Sequence, residues 1–295
     1  MGETPSGGTP WGDWVGRQEI ATDRLHAGPA RALAATLNRQ DDMPVADGAR
    51  VPPLWLWLYF LAPAPMAQVG PDGHPKRGGF LPPVALPRRM WAGSRCRFHA
   101  DAHIGDAAER ISTIQSVEEK IGRAGAMAFV TVRHETRAAG KLVMEEEQDI
   151  VYVAMPERYA PPPPTPAPDC AFNEAVAIDP VLLFRFSALT FNGHRIHYDR
   201  PYATDVEKYP GLVVHGPLQA ILLFDAAERW APGRRARSFT FRGLRPLFDF
   251  DAVSLRGRAR DDGGLDLFTA NGEGAIGMQA SLTFDDDATV VAGSG

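Results

Sequence analysis

The stretch HGPLQAILLFDAAERW, residues 215–230, decides how the rest of the chain is read. Pro217 has no N–H and a fixed φ, which suits a first-turn position and leaves Gly216 as the expected cap. Through Phe224 the run presents apolar residues on every face, and it turns polar only at its end. A helix without a wet face has to be surrounded by protein. The residues that follow can surround it: RSFTFRGL, AVSLRGRARDD, LDLFTANGE and AIGMQASLTF read as strands, with Asp261-Asp262-Gly263-Gly264 as a hairpin turn. The pattern predicts an α+β unit, an antiparallel sheet wrapped around a central helix.

Upstream, the same order occurs once more. PPLWLWLYFLAP (52–63) offers an apolar helix after Pro52-Pro53, and strand candidates follow in RMWAGSRCRFHA, AERISTIQSVEEKI, AMAFVTVRHETRAA and GKLVMEEEQDIVYV. Phe98 precedes Asp106 by the interval that separates Phe241 from Asp249, each time at the first strand-to-strand corner. Between the halves stands MPERYAPPPPTPAP (155–168), whose consecutive prolines favour extended backbone and cannot join a helix or central strand. The expected division is residues 1–155, a linker at 156–170, and 171–295. Two such units let their sheets meet edge to edge, which covers exposed strand edges.

At 295 residues, 44% hydrophobic and 23% charged, the chain has the composition of an ordinary globular protein. A net charge of −5 leaves no surplus of cations for phosphate backbones, so nucleic acid is not an expected partner. The apolar run at 52–63 is too short to span a bilayer, and MGETPSGGTPWGDW lacks the basic-then-apolar order of a signal peptide. Cys96 and Cys170 stand far apart, with neither CxxC spacing nor a paired framework, and read as free thiols of a reducing, cytoplasmic compartment.

The chemistry concentrates in FNGHRIHYDRPYATDVEKYPGLVVHGPLQ (191–219), which holds three of the eight histidines. A neutral imidazole accepts a proton near pH 7, so His194 and His197 are candidate acid–base groups, with Asp199 and Asn192 beside them. The Gly216 N–H lies at the positive end of a helix whose own hydrogen bonds do not use it, and can hold a carbonyl oxygen that gains negative charge. His194, His197 and His215 offer three nitrogens, but the cysteine or acidic partner usual in a zinc site is missing; no metal is expected. A serine hydrolase is disfavoured because the chain has no GxSxG elbow.

FNGHRIHYDRPYA…YPGLVVHGPLQAILL resembles the signature of the MaoC-like, hot-dog-fold hydratases, and more narrowly the branch of type 2 3-hydroxyacyl-thioester dehydratases and mesaconyl-CoA and itaconyl-CoA hydratases. PPLWLWLYFLAP, DGHPKRGGFLPPVALPRRMWAGSR and MEEEQDIVYV are similar to the N-terminal part of the same branch. The resemblance implies a double hot-dog with the site where the halves meet, and reversible addition of water across the C2–C3 double bond of an enoyl-CoA. It implies no cofactor, CoA being part of the substrate. In the family motif G-D-x-N-P-[apolar]-H, Ile196-His197 matches the last two positions. Asn192 falls where the aspartate belongs and His194 where the asparagine belongs, so His197 inherits the histidine's role and the second acid–base group is open.

His215, Arg88, Arg89, Arg95, Arg235 and Arg242 are the candidates for binding substrate, the arginines as donors to the CoA phosphates. GHPKRGGF (73–80) is expected as a mobile loop beside the substrate. His99 and His103 lack a following His-Gly-Pro, so the first half is expected to carry no water chemistry of its own. A thioesterase on the same fold and a non-catalytic acyl-CoA-binding protein stand as alternatives, and either a monomer or a homodimer fits two such units.

Overall fold

A computed structural model describes residues 11–39, 46–122 and 125–285; the first ten residues, read above for a leader signal, lie outside it. In the first half the strands are β1 (Gln18–Arg24), β2 (Arg50–Val51), β3 (Arg88–Phe98), β4 (Ala102–His103), β5 (Ala107–Gly122), β6 (Gly125–Ala138) and β7 (Lys141–Val153), with helix α1 (Ala27–Thr36) after β1. The second half has β8 (Phe172–Val176), α2 (Pro180–Leu189), α3 (Gly216–Trp230), β9 (Ala236–Gly243), β10 (Val253–Ala259), β11 (Leu265–Ala270) and β12 (Ile276–Phe284). Every strand candidate read from sequence is present. β1, α1, β8 and α2 went unread, because each is short and its apolar residues alternate irregularly.

The two expected sheets are one. Ten strands run in the order β1-β5-β6-β7-β3-β9-β12-β11-β10-β8, while β2 and β4 pair separately. Each half has the same internal order once its strands are matched, β1-β5-β6-β7-β3 against β8-β10-β11-β12-β9. The halves fuse through β3 and β9, antiparallel from Gly93↔Arg242 to Arg97↔Ser238, so each closes the other's open edge. Between β7 and β8, residues 154–171 form no helix or strand; Pro166 bridges Ala275 and Ala167 N–H donates to the Gly274 carbonyl.

Helix α3 is enclosed as its sequence demands, with Leu218, Ala220, Ile221, Leu223, Phe224, Ala226 and Ala227 fully buried. Its N-terminus differs from expectation by one residue: His215 is the cap and Gly216 the first helical residue. The counterpart in the first half is not an α-helix. Pro53–Leu58 makes a six-residue 3-10 turn, after which Tyr59 is extended and Phe60 takes φ 57°. Pro63 and Pro65 bar a longer helix; Trp55 is wholly buried in the core and Trp57 packs half-buried against it. The facing sheet is correspondingly polar in its middle: Ser94, Ser112, Thr136 and Glu146 are buried there between apolar clusters. Among the described residues no helix is long and apolar enough to cross a membrane.

Candidate active site

The segment 191–215 folds as two short turns packed against the start of α3. Asn192 Oδ1 accepts the His194 N–H at 3.0 Å, and its own N–H donates to the Ser187 carbonyl at 2.8 Å. Asn192 therefore shapes the turn that presents the histidines. A 3-10 turn over Arg195–His197 then points His194 and His197 inward, where both are buried.

His197 Nδ1 lies 2.7 Å from the Val213 carbonyl. A carbonyl only accepts, so Nδ1 carries the proton and the neutral ring keeps its lone pair on Nε2. The ring stacks on His215, centroids 3.7 Å apart and planes 18° apart. Burial, then the neighbouring rings of His215 and His194, push its pKa well below the ordinary histidine range, against the pull of the Val213 carbonyl. His215, fully buried, is pushed down to about 3 by burial and by His194. Its Nε2 meets Ser187 Oγ at 2.8 Å, and its Nδ1 has no partner. His215 thus stacks on His197 and, with burial, keeps it neutral.

Because His215 directly precedes Gly216, the stacked imidazole brings His197 to the mouth of α3. Gly216 is half-buried, and nothing lies within 3.8 Å of where its Cβ would be, the nearest atom being the Trp91 carbonyl oxygen on β3. Among the described residues no hydrogen bond uses its N–H. An unused amide at a helix N-terminus beside open space is a ready donor to an anionic oxygen.

The second acid–base candidate has a partner that sequence reading missed. His194 Nε2 lies 3.1 Å from Glu207 Oε1, and Glu207 Oε2 accepts from Arg88 Nε at 3.0 Å. Burial raises the Glu207 pKa, but the hydrogen bonds and charges of His194 and Arg88 prevail and hold it below its usual value. Arg88 also hydrogen-bonds the Tyr209 hydroxyl. Arg88 is consequently a half-buried support of the His194–Glu207 pair, its guanidinium engaged there and not toward solvent. Glu207 lies ten residues past His197, on a five-residue π-turn over Tyr202–Val206 and its cap, and no motif spacing marks it.

The first half reaches this site through its Gly-rich loop. Gly73 and Gly193 cross so closely that a Cβ on Gly73 would lie 1.8 Å from the Gly193 carbonyl oxygen. The Arg195 N–H donates to the Asp72 carbonyl at 3.0 Å, and the His74 ring sits 4.2 Å from that of His194. His74 Nδ1 bonds Asp72 at 3.0 Å. Burial outweighs that bond and, with Arg89 and His194, pushes His74 down to about 4. Despite its burial, Asp72 is held to about 2 by His74. Ligand atoms of Asp72, His74 and His194 lie within 4.8 Å of one another, the one set among the described residues that could hold a divalent ion. It is not the trio weighed from sequence, and its aspartate and one histidine already satisfy each other.

Other candidates fall elsewhere. The Asp199 carboxylate binds Arg195 at 2.7 Å and the Tyr202 N–H at 3.1 Å, so it caps a turn and is not free to exchange protons with substrate. Arg95 is spent on Glu147 and Asp149 on the outer sheet face, and Arg235 on Asp285 and the His99 carbonyl. Both guanidiniums are exposed and already carry a carboxylate partner. Arg242 is exposed on β9 at the seam with no side-chain partner among the described residues, and Arg89 is half-buried and faces inward. His99 and His103 are surface partners of Glu145 and Asp106.

A family model described as hydroxyacyl-thioester dehydratase type 2 matches residues 54–249. The chain is 47% identical over 274 residues to a mesaconyl-C(4)-CoA hydratase of Chloroflexus aurantiacus, covering 92% of this chain and 97% of that protein. Among solved structures it resembles a MaoC-like dehydratase from Phytophthora capsici (TM-score 0.67, 13% identity, 93% of this chain and 97% of that one). It also resembles a Mycobacterium tuberculosis protein described as a double hot-dog fold (TM-score 0.58, 14% identity, 92% and 96%). The fold expected from sequence is thereby borne out.

Proposed function

We propose, from the premise that this chain belongs to the hydroxyacyl-thioester dehydratase type 2 family, that it hydrates an enoyl-CoA of the mesaconyl-CoA type. It is an acyl-CoA hydratase/dehydratase, a hydro-lyase; the acyl group and the residue roles are the proposal. The observation that carries those roles is a neutral His197 with its Nε2 lone pair free, stacked on the residue that precedes the open Gly216 amide.

In the hydration direction His197 Nε2 takes a proton from water as the water oxygen bonds C3. The C2–C3 π electrons move onto the thioester, and the Gly216 N–H holds the resulting enolate oxygen. C2 then takes a proton from His194, whose ring is backed by the Glu207 carboxylate, and the proton held by His197 returns to His194 through solvent before the next turnover. Two imidazoles placed in opposed environments, one desolvated and one backed by a carboxylate, divide the base and acid tasks. The developing enolate offsets the charge that burial alone would keep off His197. Dehydration is the same path reversed. Arg242 is the arginine best placed among the sequence candidates for a CoA phosphate, because it is exposed at the seam and carries no ion pair. Two free cysteines support the cytoplasmic reading.

Incubating the purified protein with mesaconyl-C(4)-CoA tests the reading. Loss of the enoyl absorbance with a mass gain of one water is the expected result. Release of free thiol instead identifies a thioesterase, and tight binding without either change identifies a binding protein.

A further inference from the structure

We infer that the Asp72–His74 dyad, on the Gly-rich loop of the first half, positions the acid His194, so that the first half completes an active site whose reacting groups all belong to the second. This rests on the hydratase reading above and extends it.

Asn192 stands where the family motif has its aspartate, and its side-chain oxygen already accepts the His194 N–H. Asp199, the other nearby polar candidate, is held by Arg195. No carboxylate of the motif segment 191–199 therefore fixes the His194 ring. The loop after Gly70 is bound to this segment instead. Gly193 and Arg195, the residues on either side of His194, both hold it. Gly193 crosses Gly73, and Arg195 donates from its N–H to the Asp72 carbonyl and from Nη1 to the Pro71 carbonyl, each at 3.0 Å. The loop is also closed on itself, with the Gly70 N–H on the His74 carbonyl at 2.8 Å and Val69 bridged to Pro75. His74 is thus presented on a fixed backbone, and its ring lies on that of His194, centroids 4.2 Å apart and planes tilted by 37°.

Asp72 commits both oxygens to His74, Oδ1 accepting its main-chain N–H at 3.1 Å and Oδ2 facing Nδ1 at 3.0 Å. An ionised carboxylate only accepts, so Nδ1 carries the proton, and the ring cannot turn without losing that bond. A carboxylate that pins one ring nitrogen is the usual support behind an imidazole whose orientation matters. His194 is then bounded by Glu207 at Nε2, by His197 edge-on at 5.5 Å, and by His74 across its face. Misplacing a reacting group by about 1 Å costs about 10²-fold in rate. A side chain is held that closely only when its neighbours are themselves locked, and His74 is locked by Asp72.

The test reads where deuterium goes. In D2O the acid delivers a deuteron to C2, and its position decides which face receives it. The wild type acting on mesaconyl-C(4)-CoA should label one face of C2 only, as read by proton NMR of the product. His74→Ala should lower kcat about 10–100-fold, leave KM little changed and spread the label over both faces. Asp72→Asn should do the same at the weaker end, about 10-fold. Partial misfolding scales kcat without moving the label, and Asp72→Asn serves should His74→Ala fail to fold. A label confined to one face in both variants overturns the inference. A rise in KM at unchanged kcat makes His74 a substrate contact and also overturns it. So does activity abolished by EDTA and restored by zinc, which makes Asp72, His74 and His194 metal ligands. A wild type that adds no water defeats the hydratase reading, and the crystal structure of Asp72→Asn then decides: a His194 ring unmoved on Glu207 overturns the inference, and one swung away from Glu207 sustains it.

Discussion

Replacing His197 by Ala removes the imidazole whose tautomer is set by the Val213 carbonyl and whose second nitrogen has no partner among the described residues. The expected loss in kcat is about 10²–10⁴, with KM for the thioester little changed. Gly216 allows a sharper experiment, because the relevant group is a main-chain N–H. His215 has φ −59° and ψ 136°, a conformation that tolerates a following proline. Gly216→Pro should leave α3 folded by circular dichroism while removing the donor, lowering kcat about 10²–10³-fold. Glu207→Gln keeps an acceptor for His194 but removes the charge. Activity should fall at least about tenfold, and the acid-side limb of the kcat pH profile should move, an effect that a merely structural glutamate would not produce. An unchanged profile would sink the His194–Glu207 assignment.

Among the elements, α3 was legible because its apolar circumference and Gly-Pro entrance are local properties of sixteen residues. At Pro53–Leu58 the apolar content predicts a helix of the same kind, and the chain makes a six-residue 3-10 turn because Pro63 and Pro65 follow it. The crossing of Gly73 over Gly193 joins two loops far apart in the chain, and each glycine looked like ordinary loop composition. Gly193→Ala puts a Cβ 2.5 Å from the Gly73 carbonyl oxygen. It should cost about 1–3 kcal/mol of stability, measured by denaturant unfolding, and lower activity by moving His74 off His194.

For the molecule as a whole, the buried histidines predict acid sensitivity. His74 and His134 titrate at about 4 and His215 at about 3, all depressed mainly by burial, with His197 lower than usual as well. A histidine depressed in the native state contributes stability above its unfolded pKa of about 6.5, and loses it as pH falls towards the folded value. Asp225, raised by burial to about 7, acts oppositely and stabilises the native state below that pH. Glu146 and Asp251, also raised mainly by burial, act in the same sense as Asp225; each tenfold difference in proton affinity corresponds to about 1.4 kcal/mol, and the four depressed histidines still prevail. Thermal melts should therefore show Tm falling progressively between about pH 6.5 and pH 4; a flat Tm over that range would contradict the native-state neutrality of these rings.

The amino-acid order by itself determined the repeated strand pattern, the enclosed helix and the histidine-bearing segment, because hydrophobic periodicity and turn residues act over a few neighbours. It also supplied His197 and the Gly216 amide through a motif. Only the tertiary structure decided which groups serve them. Glu207, His74 and Val213 meet the histidine segment only through contacts made across turns and the seam between halves. Asp199, Arg95 and Arg235 each acquired an opposite charge as partner that no local pattern announced. Burial and pairing depend on what packs around a side chain, and that is set by the fusion of β3 with β9, a contact between residues about 145 positions apart.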